Sequence, residues 1–357
     1  MTYIQSFRSS LSLTLLLASS ALFSTTLAQS VSAPLTLERA VQQALNQNAE
    51  VLSAASALNQ AQSTLVAKEK DPNAIVTDLL TSRQAAQLAA IQLTFVRLEV
   101  TSDAVNEFFN LAENKDALET LTSQVKLSTR QLEIARARLA VKTATPVEVQ
   151  RAENDLGGAR QQLTDATAAR PVVAARLARV LGLERGTTLV IAEPPAVKAR
   201  AVNLGALEQN LDDRVLAVVQ AAQALEAAEL NVKVSTNDYT AEQTQREART
   251  NLENARRALN TATRRALTQT RDAYRGAQDA LEGAAVASKA RETADRTLQN
   301  DGVRLQNGLI ARVELEASQL TALKARQQAA QATNAYLRAL SALSLASGTD
   351  VTGLRGN

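Results

Sequence analysis

Two halves of this 357-residue chain are written in the same pattern. "ALNQN" at Ala44–Asn48 returns as "ALEQN" at Ala206–Asn210. Arg138-Leu139 returns as Arg304-Leu305, and Val147-Glu148-Val149 as Val313-Glu314-Leu315, at one common spacing. Phe109 corresponds to Tyr274. A unit of about 165 residues is long for a solenoid repeat, so the pattern implies one domain built from two related halves. The organisation expected is a leader over 1–28 and a single domain over 29–357. Within that domain, repeat one runs over about 35–182, a connector over 183–203 and repeat two over about 204–347.

Each half carries the same series of helix patterns. A short helix opens it, Leu37 to Asn48 and Leu204 to Asn210. A medium helix follows, Glu50 to Lys70 and Asp213 to Ser235, then a very long one, Asp78 to Val141 and Tyr239 to Gln306. A return helix closes the half, Pro146 to Leu181 and Arg312 to Ala346. Pro171 should kink or split the first return helix, and Gly182 and Gly348 stand where C-terminal caps belong. About 64 residues make a rod of roughly 95 Å, and the medium and return helices together add up to about 85 Å. Two shorter helices can therefore stack end to end beside each long one. Apolar positions such as Leu118, Leu121, Val125, Leu132 and Leu139 recur at helical spacing among small alanines, which suits close antiparallel packing. The fold class expected is all-α, with long antiparallel hairpins.

The turn in "RARLAVKTATPVEVQRAENDL" has a clear local cause. Thr145 can cap, Pro146 suits the first helical position and disfavours helix at Thr145, and Glu148 completes a capping box. The chain is expected to reverse there as a hairpin tip.

Composition removes several function classes. There is no histidine and no cysteine, so disulfides, thiolate metal sites and His- or Cys-based catalysis are excluded. The carboxylates read as helix-surface charges with cations three or four residues away, such as Glu133 with Arg136 and Asp295 with Arg291, rather than as acid–base pairs. No catalytic residue, cofactor or metal is expected. The charge is +3 overall, and +2 without residues 1–28, which hold Arg8 and no acid. Charges of both signs are interspersed, and past residue 28 the aromatics are only Phe95, Phe108, Phe109, Tyr239, Tyr274 and Tyr336. Nucleic-acid binding, which needs a clustered basic face, is not expected. The two adjacent phenylalanines and Tyr274 read as packing residues. At the start, Arg8, an apolar run over Leu11–Phe23 and Thr26-Leu27-Ala28 read as an export signal with a small-x-small cleavage site.

The ordered set of motifs resembles the TolC family of outer-membrane efflux proteins. "LTLERAVQQALNQNAEVLSAASALNQAQ" (35–62) is similar to the family's N-terminal segment, with Ala49 at a frequent proline position. "RLAVKTATPVEVQRAENDL" resembles the first hairpin tip, with Lys142 replacing a customary glycine, and "RLQNGLIARVELEASQL" the second, keeping Gly308. The resemblance covers residues 35–347. It implies a homotrimer, an α-helical tunnel in the periplasm, and tips that face a periplasmic adaptor and an inner-membrane transporter. The residues it assigns to adaptor docking or gating are Val141, Lys142, Thr143, Pro146 and Glu148 in the first tip. In the second they are Gly308, Leu309, Ile310 and Glu314. Ile310 and Ala317 stand where some relatives carry a gate arginine and aspartate.

The sequence departs from the family where membrane strands belong. The segments between medium and long helices, 68–80 and 234–245, are too short for two strands of about 9–11 residues and a turn. The aromatics for two interfacial girdles are also absent. Two readings follow. One is an oligomeric efflux or secretion conduit of the cell envelope, associated with the outer membrane, with a separate outer-membrane protein supplying the pore. The other is a structural spacer of the envelope built on the same fold, without a channel.

Overall fold

A computed structural model describes residues 34–184, 186–194 and 199–354; the expected export signal lies outside them. The apolar residues Leu37, Ala40, Val41 and Ala44 recur at i, i+3, i+4 and i+7 and form the buried stripe of helix α1, Leu37–Gln47. Thr36 caps it by accepting the Arg39 N–H at 3.3 Å. Asn48 ends α1 and caps α2, Ala49–Lys70, by accepting the Glu50 N–H at 2.8 Å. The long helix α3 spans Val76–Ala140 and the return helix α4 Pro146–Val180. In repeat two, α5 spans Leu204–Glu208, α6 Leu216–Ser235, α7 Glu242–Gln306 and α8 Arg312–Ser347. The long helices α3 and α7 are each 65 residues, about 98 Å. The spacing that relates Arg138 to Arg304 also relates their first residues, Val76 and Glu242, and their last, Ala140 and Gln306.

Several boundaries differ from the sequence reading by one to three residues, among them the start of α7 at Glu242 rather than Tyr239 and the end of α5 at Glu208 rather than Asn210. Helix α6 begins at Leu216, not Asp213, because Asn210 turns left-handed (φ 55°) and Leu211–Asp213 form a separate 3₁₀ turn. Pro171 does not split α4, which runs unbroken from Pro146 to Val180. The proline removes one backbone donor, and the packing of α4 along α3 holds the helix together across that gap.

The helices lie side by side in a fixed order. Helices α2 and α4 pack on one side of α3, α6 and α8 on its other side, and α7 packs against α6 and α8. The shorter helices do stack end to end, through the same device in both repeats. Asn48 Nδ2 donates to the Val180 carbonyl at 3.1 Å, joining the end of α4 to the start of α2. Gly182, at φ +68°, lies so near that a Cβ there would sit 2.6 Å from the Gln47 carbonyl oxygen. Gly348, at φ +67°, stands in the same relation to the Arg214 oxygen, also 2.6 Å. Only glycine meets both demands, a left-handed backbone and direct backbone contact.

The core is concentrated at this junction level. Phe108 and Phe109 are fully buried, edge to face with centroids 5.9 Å apart, among Leu37, Val41, Leu177 and Leu340. Repeats one and two are joined by polar bonds on the same α3 face. Arg338 of α8 lies 5.6 Å over the Phe109 ring and donates to Glu113 at 2.7 Å. Further along, Gln84 and Gln223 each donate to the other's backbone carbonyl, at 3.2 and 3.0 Å.

Among the described residues there is no strand, only one bridge between Leu35 and Ile191 where the connector passes the start of α1. The links Asp71–Ile75 and Thr236–Ala241 are tight turns, as their length requires. No helix among the described residues is long and apolar enough to cross a membrane.

Candidate functional site

Both hairpin tips lie at the same end of the molecule. Arg130 of α3 meets Glu316 of α8, and Gln124 meets Lys324, an antiparallel register that brings the start of α8 beside about residues 134–136, in the last turns of α3.

The two tips share one backbone solution. In the first, the Thr143 N–H bonds the Arg138 carbonyl at 2.8 Å and the Lys142 N–H bonds that of Leu139 at 2.9 Å. In the second, Leu309 bonds Arg304 at 2.8 Å and Gly308 bonds Leu305 at 3.0 Å. This is the Schellman closure of a helix C-terminus, and it requires a left-handed residue. Gly308 supplies it at φ +69°, and Lys142 adopts it at φ +61° despite its side chain. The motif reading of Lys142 as a glycine position is thereby explained physically.

The restarts differ. Thr145 and Glu148 form the full capping box: Thr145 Oγ1 accepts the Glu148 N–H at 3.3 Å, and Glu148 Oε2 accepts the Thr145 N–H at 2.6 Å. That backbone N–H, with the Thr145 hydroxyl behind it, holds the Glu148 carboxyl below the usual carboxylate range. Pro146 occupies the first helical turn. Helix α8 starts at Arg312 behind Ala311, which offers no side-chain cap, and Glu314 is exposed beside that uncapped start.

Most of the residues singled out in the tips are exposed. Val141 and Leu309 are each 69 % exposed and Val147 68 %, so both turns present large apolar side chains to solvent, as Val76 and Tyr239 do at the α2–α3 and α6–α7 turns. Lys142, Thr143 and Pro146 lie on the same surface. Ile310 does not: it is buried inside the second hairpin, and Ala317 is half-buried.

Each hairpin is stapled behind its tip. Arg136 of α3 pairs with Glu153 of α4 at 2.7 Å. In the second hairpin Ser318 donates to Asp301, which also accepts from Arg304 at 3.0 Å, and these bonds hold the Asp301 carboxyl low. Glu133 takes Arg130 at 2.9 Å as its partner, not Arg136 as its spacing suggested, because Arg136 faces across to α4. Asp295 keeps Arg291 at 3.6 Å and adds Arg326 at 2.9 Å.

Sequence reasoning missed Glu316. It is only 6 % exposed, between Arg130 Nε at 3.8 Å and Arg312 Nε at 3.6 Å, and neither carboxylate oxygen has a hydrogen-bond partner. It links the first hairpin to the second just above the tips. The signal was available: Val313, Glu316 and Leu320 share one helical stripe, so a carboxylate interrupts an otherwise apolar seam. Among the described residues no cluster of His, Cys, Asp or Glu could hold a metal ion.

No protein-family model and no curated protein matches the sequence. Solved structures do match the fold. The CmeC outer-membrane channel of Campylobacter jejuni aligns with a TM-score of 0.67 at 12% identity, over 87% of this chain and 85% of that one. The outer-membrane channel OprN gives 0.65 at 15% identity, over 87% and 89%. VceC, an outer-membrane protein of Vibrio cholerae, gives 0.64 at 14% identity, over 88% and 96%. The chain therefore has the TolC-like fold of these channels, and its described residues have it without the strands.

Proposed function

We propose that this protein is a TolC-like efflux or secretion component of the cell envelope. Several copies, three by analogy, form a periplasmic helical conduit that docks an adaptor or inner-membrane transporter through its tips. The observation that carries the reading is the pair of tips at one end of the molecule, closed by one backbone geometry and presenting Val141, Val147 and Leu309 to solvent. Exposed apolar side chains at two adjacent turns suit a protein partner better than water. Self-assembly is supported by the helix order. Helix α7 and the α2–α4 pair each leave one long side without a neighbour among the described residues, at opposite edges of the layer. Joining unlike edges of successive copies closes a ring or continues as a filament.

The short α2–α3 and α6–α7 turns favour a division of labour in which a separate outer-membrane protein carries the passage through the bilayer. They are also the one observation that favours the second reading, a channel-less spacer. Light scattering of the detergent-free protein after size exclusion separates the two. A trimer supports the conduit, and a monomer at micromolar concentration refutes it. Cysteines at Lys142 and Leu309 should then cross-link to a co-expressed adaptor, whereas one at Val286, on the rod of α7, should not.

A further inference from the structure

The duplication makes one interface inside the chain a template for another between chains. Repeat one packs on repeat two by laying one face of α3 against α6 and α8. Helix α7 carries the same face at its equivalent positions, and there it is unpartnered among the described residues. Helices α2 and α4 carry the counterparts of α6 and α8, also unpartnered on that side.

Near the helix junction the internal contact is a groove of about 290 Å³, lined among others by Phe95 and Leu98 of α3, Leu216, Ala217 and Gln220 of α6, and Gln269 of α7. Aligning α3 with α7 from their first residues turns Phe95 into Thr261, Leu98 into Arg264 and Gln269 into Asp103. Helices α2 and α6 begin at Ala49 and Leu216; aligned from those starts, Ala217 becomes Glu50 and Gln220 becomes Ser53. An apolar contact inside the chain thus becomes a contact of opposite charges between copies.

We propose that a second copy of this chain docks along the free face of α7, with Arg264 seated between Glu50 and Asp103 of that copy. The inference rests on the self-assembly proposed above and names the residues that hold it.

The acidic corner is under strain within one subunit. Burial, then repulsion from Glu50 and Glu107, pushes the Asp103 carboxyl up; burial, then Asp103 and Glu50, does the same to Glu99. Among the described residues Arg179, at the end of α4, is the one cation acting on Asp103 from the facing elements. On the other edge, Arg264 and Arg265 lie exposed beside Thr261 and Thr268, and no salt bridge engages either guanidinium among the described residues. At this level the α7 edge offers two guanidiniums without a salt bridge and the α2–α3 corner an excess of carboxylates over Arg179, which favours a joint between unlike edges and opposes one between like edges.

The test is the dissociation constant of the full chain by sedimentation velocity, at low and at high salt. Arg264→Glu should weaken assembly about tenfold or more, as should Glu50→Arg, and the two together should recover most of the loss. Both positions are exposed, so far-UV circular dichroism should show the helical fold intact in each variant. Rising salt should weaken the wild type and strengthen Arg264→Glu, whose new carboxylate would face Glu50 and Asp103. If the wild type assembles and Arg264→Glu assembles equally well, this contact is wrong while the conduit reading stands. If the wild type is monomeric at both salt concentrations, both fall.

Discussion

Replacing Gly182 or Gly348 by alanine should be among the most damaging single-methyl changes available to this protein. An alanine at φ near +68° is left-handed, which costs about 1–2 kcal/mol. Its Cβ would also lie 2.6 Å from a backbone oxygen, that of Gln47 in one repeat and Arg214 in the other. A backbone atom cannot swing aside as a long side chain can, so the stacked helices must part, adding about 1–3 kcal/mol. The expected loss is roughly 3 kcal/mol for either variant. Gly157 supplies the control. It lies inside α4, a Cβ there would meet nothing within 4 Å, and alanine should gain about 0.5–1 kcal/mol in helix stability. Urea denaturation followed by circular dichroism, at concentrations where the chain is monomeric, reads the difference. With a slope of about 3 kcal/mol/M, Gly182→Ala should lower the midpoint by about 1 M and Gly157→Ala should raise it slightly. Equal midpoints for the two variants would refute the claim that the glycine junctions hold the helices end to end.

Lys142→Gly should stabilise the first tip by about 1 kcal/mol, since φ +61° suits glycine better than lysine; hydrogen exchange at the Thr143 amide checks it. Thr145→Ala should cost about 1 kcal/mol through the lost cap, and the same amide should exchange faster. The Glu148 carboxyl is held low by the fold, so its contribution is present above the ordinary carboxylate range and fades as pH falls through its folded value. Exchange at the tip should therefore quicken in acid, once corrected for intrinsic rates. Glu99 and Asp103 have the opposite sign: their folded values are raised, so in the monomer their strain is full at neutral pH and relaxes as pH falls toward the ordinary range. Glu50→Gln should move both back toward ordinary values in a carboxyl NMR titration. Arg130→Ala should cost about 2 kcal/mol, less than the ~3–5 kcal/mol of a fully buried pair because Arg130 is 42 % exposed and Arg312 remains; Arg130→Met with Glu316→Leu should recover it.

The parts of this fold set by local chemistry were legible in the sequence. The capping box at Thr145 and Glu148, the proline at 146 and the glycines ending α4 and α8 each act within a few residues of themselves. The repeat spacing then located the second tip, although Ala311 provides no cap of its own. What escaped depends on contacts far along the chain. The reason Gly182 must be glycine lies partly at Gln47, and the partner of Arg136 lies on α4, because side-chain spacing on one helix does not say which neighbour faces it. Glu316 shows the same limit: its place in an apolar stripe was visible, but its cation across the seam, Arg130, belongs to the other repeat.

The equal length of α3 and α7 carries an evolutionary consequence. Each long helix is measured against two shorter ones laid end to end, with a glycine contact fixing where those two meet. A deletion of one heptad between junction and tip would shorten α3 by about 10 Å and leave α4 overhanging. Only a matched deletion in α4, and then in both helices of the second hairpin, restores the present register of the two tips. Length changes in descendants of this gene should therefore come in sets of four, close to whole heptads. Single insertions should gather in the connector, where no register is kept.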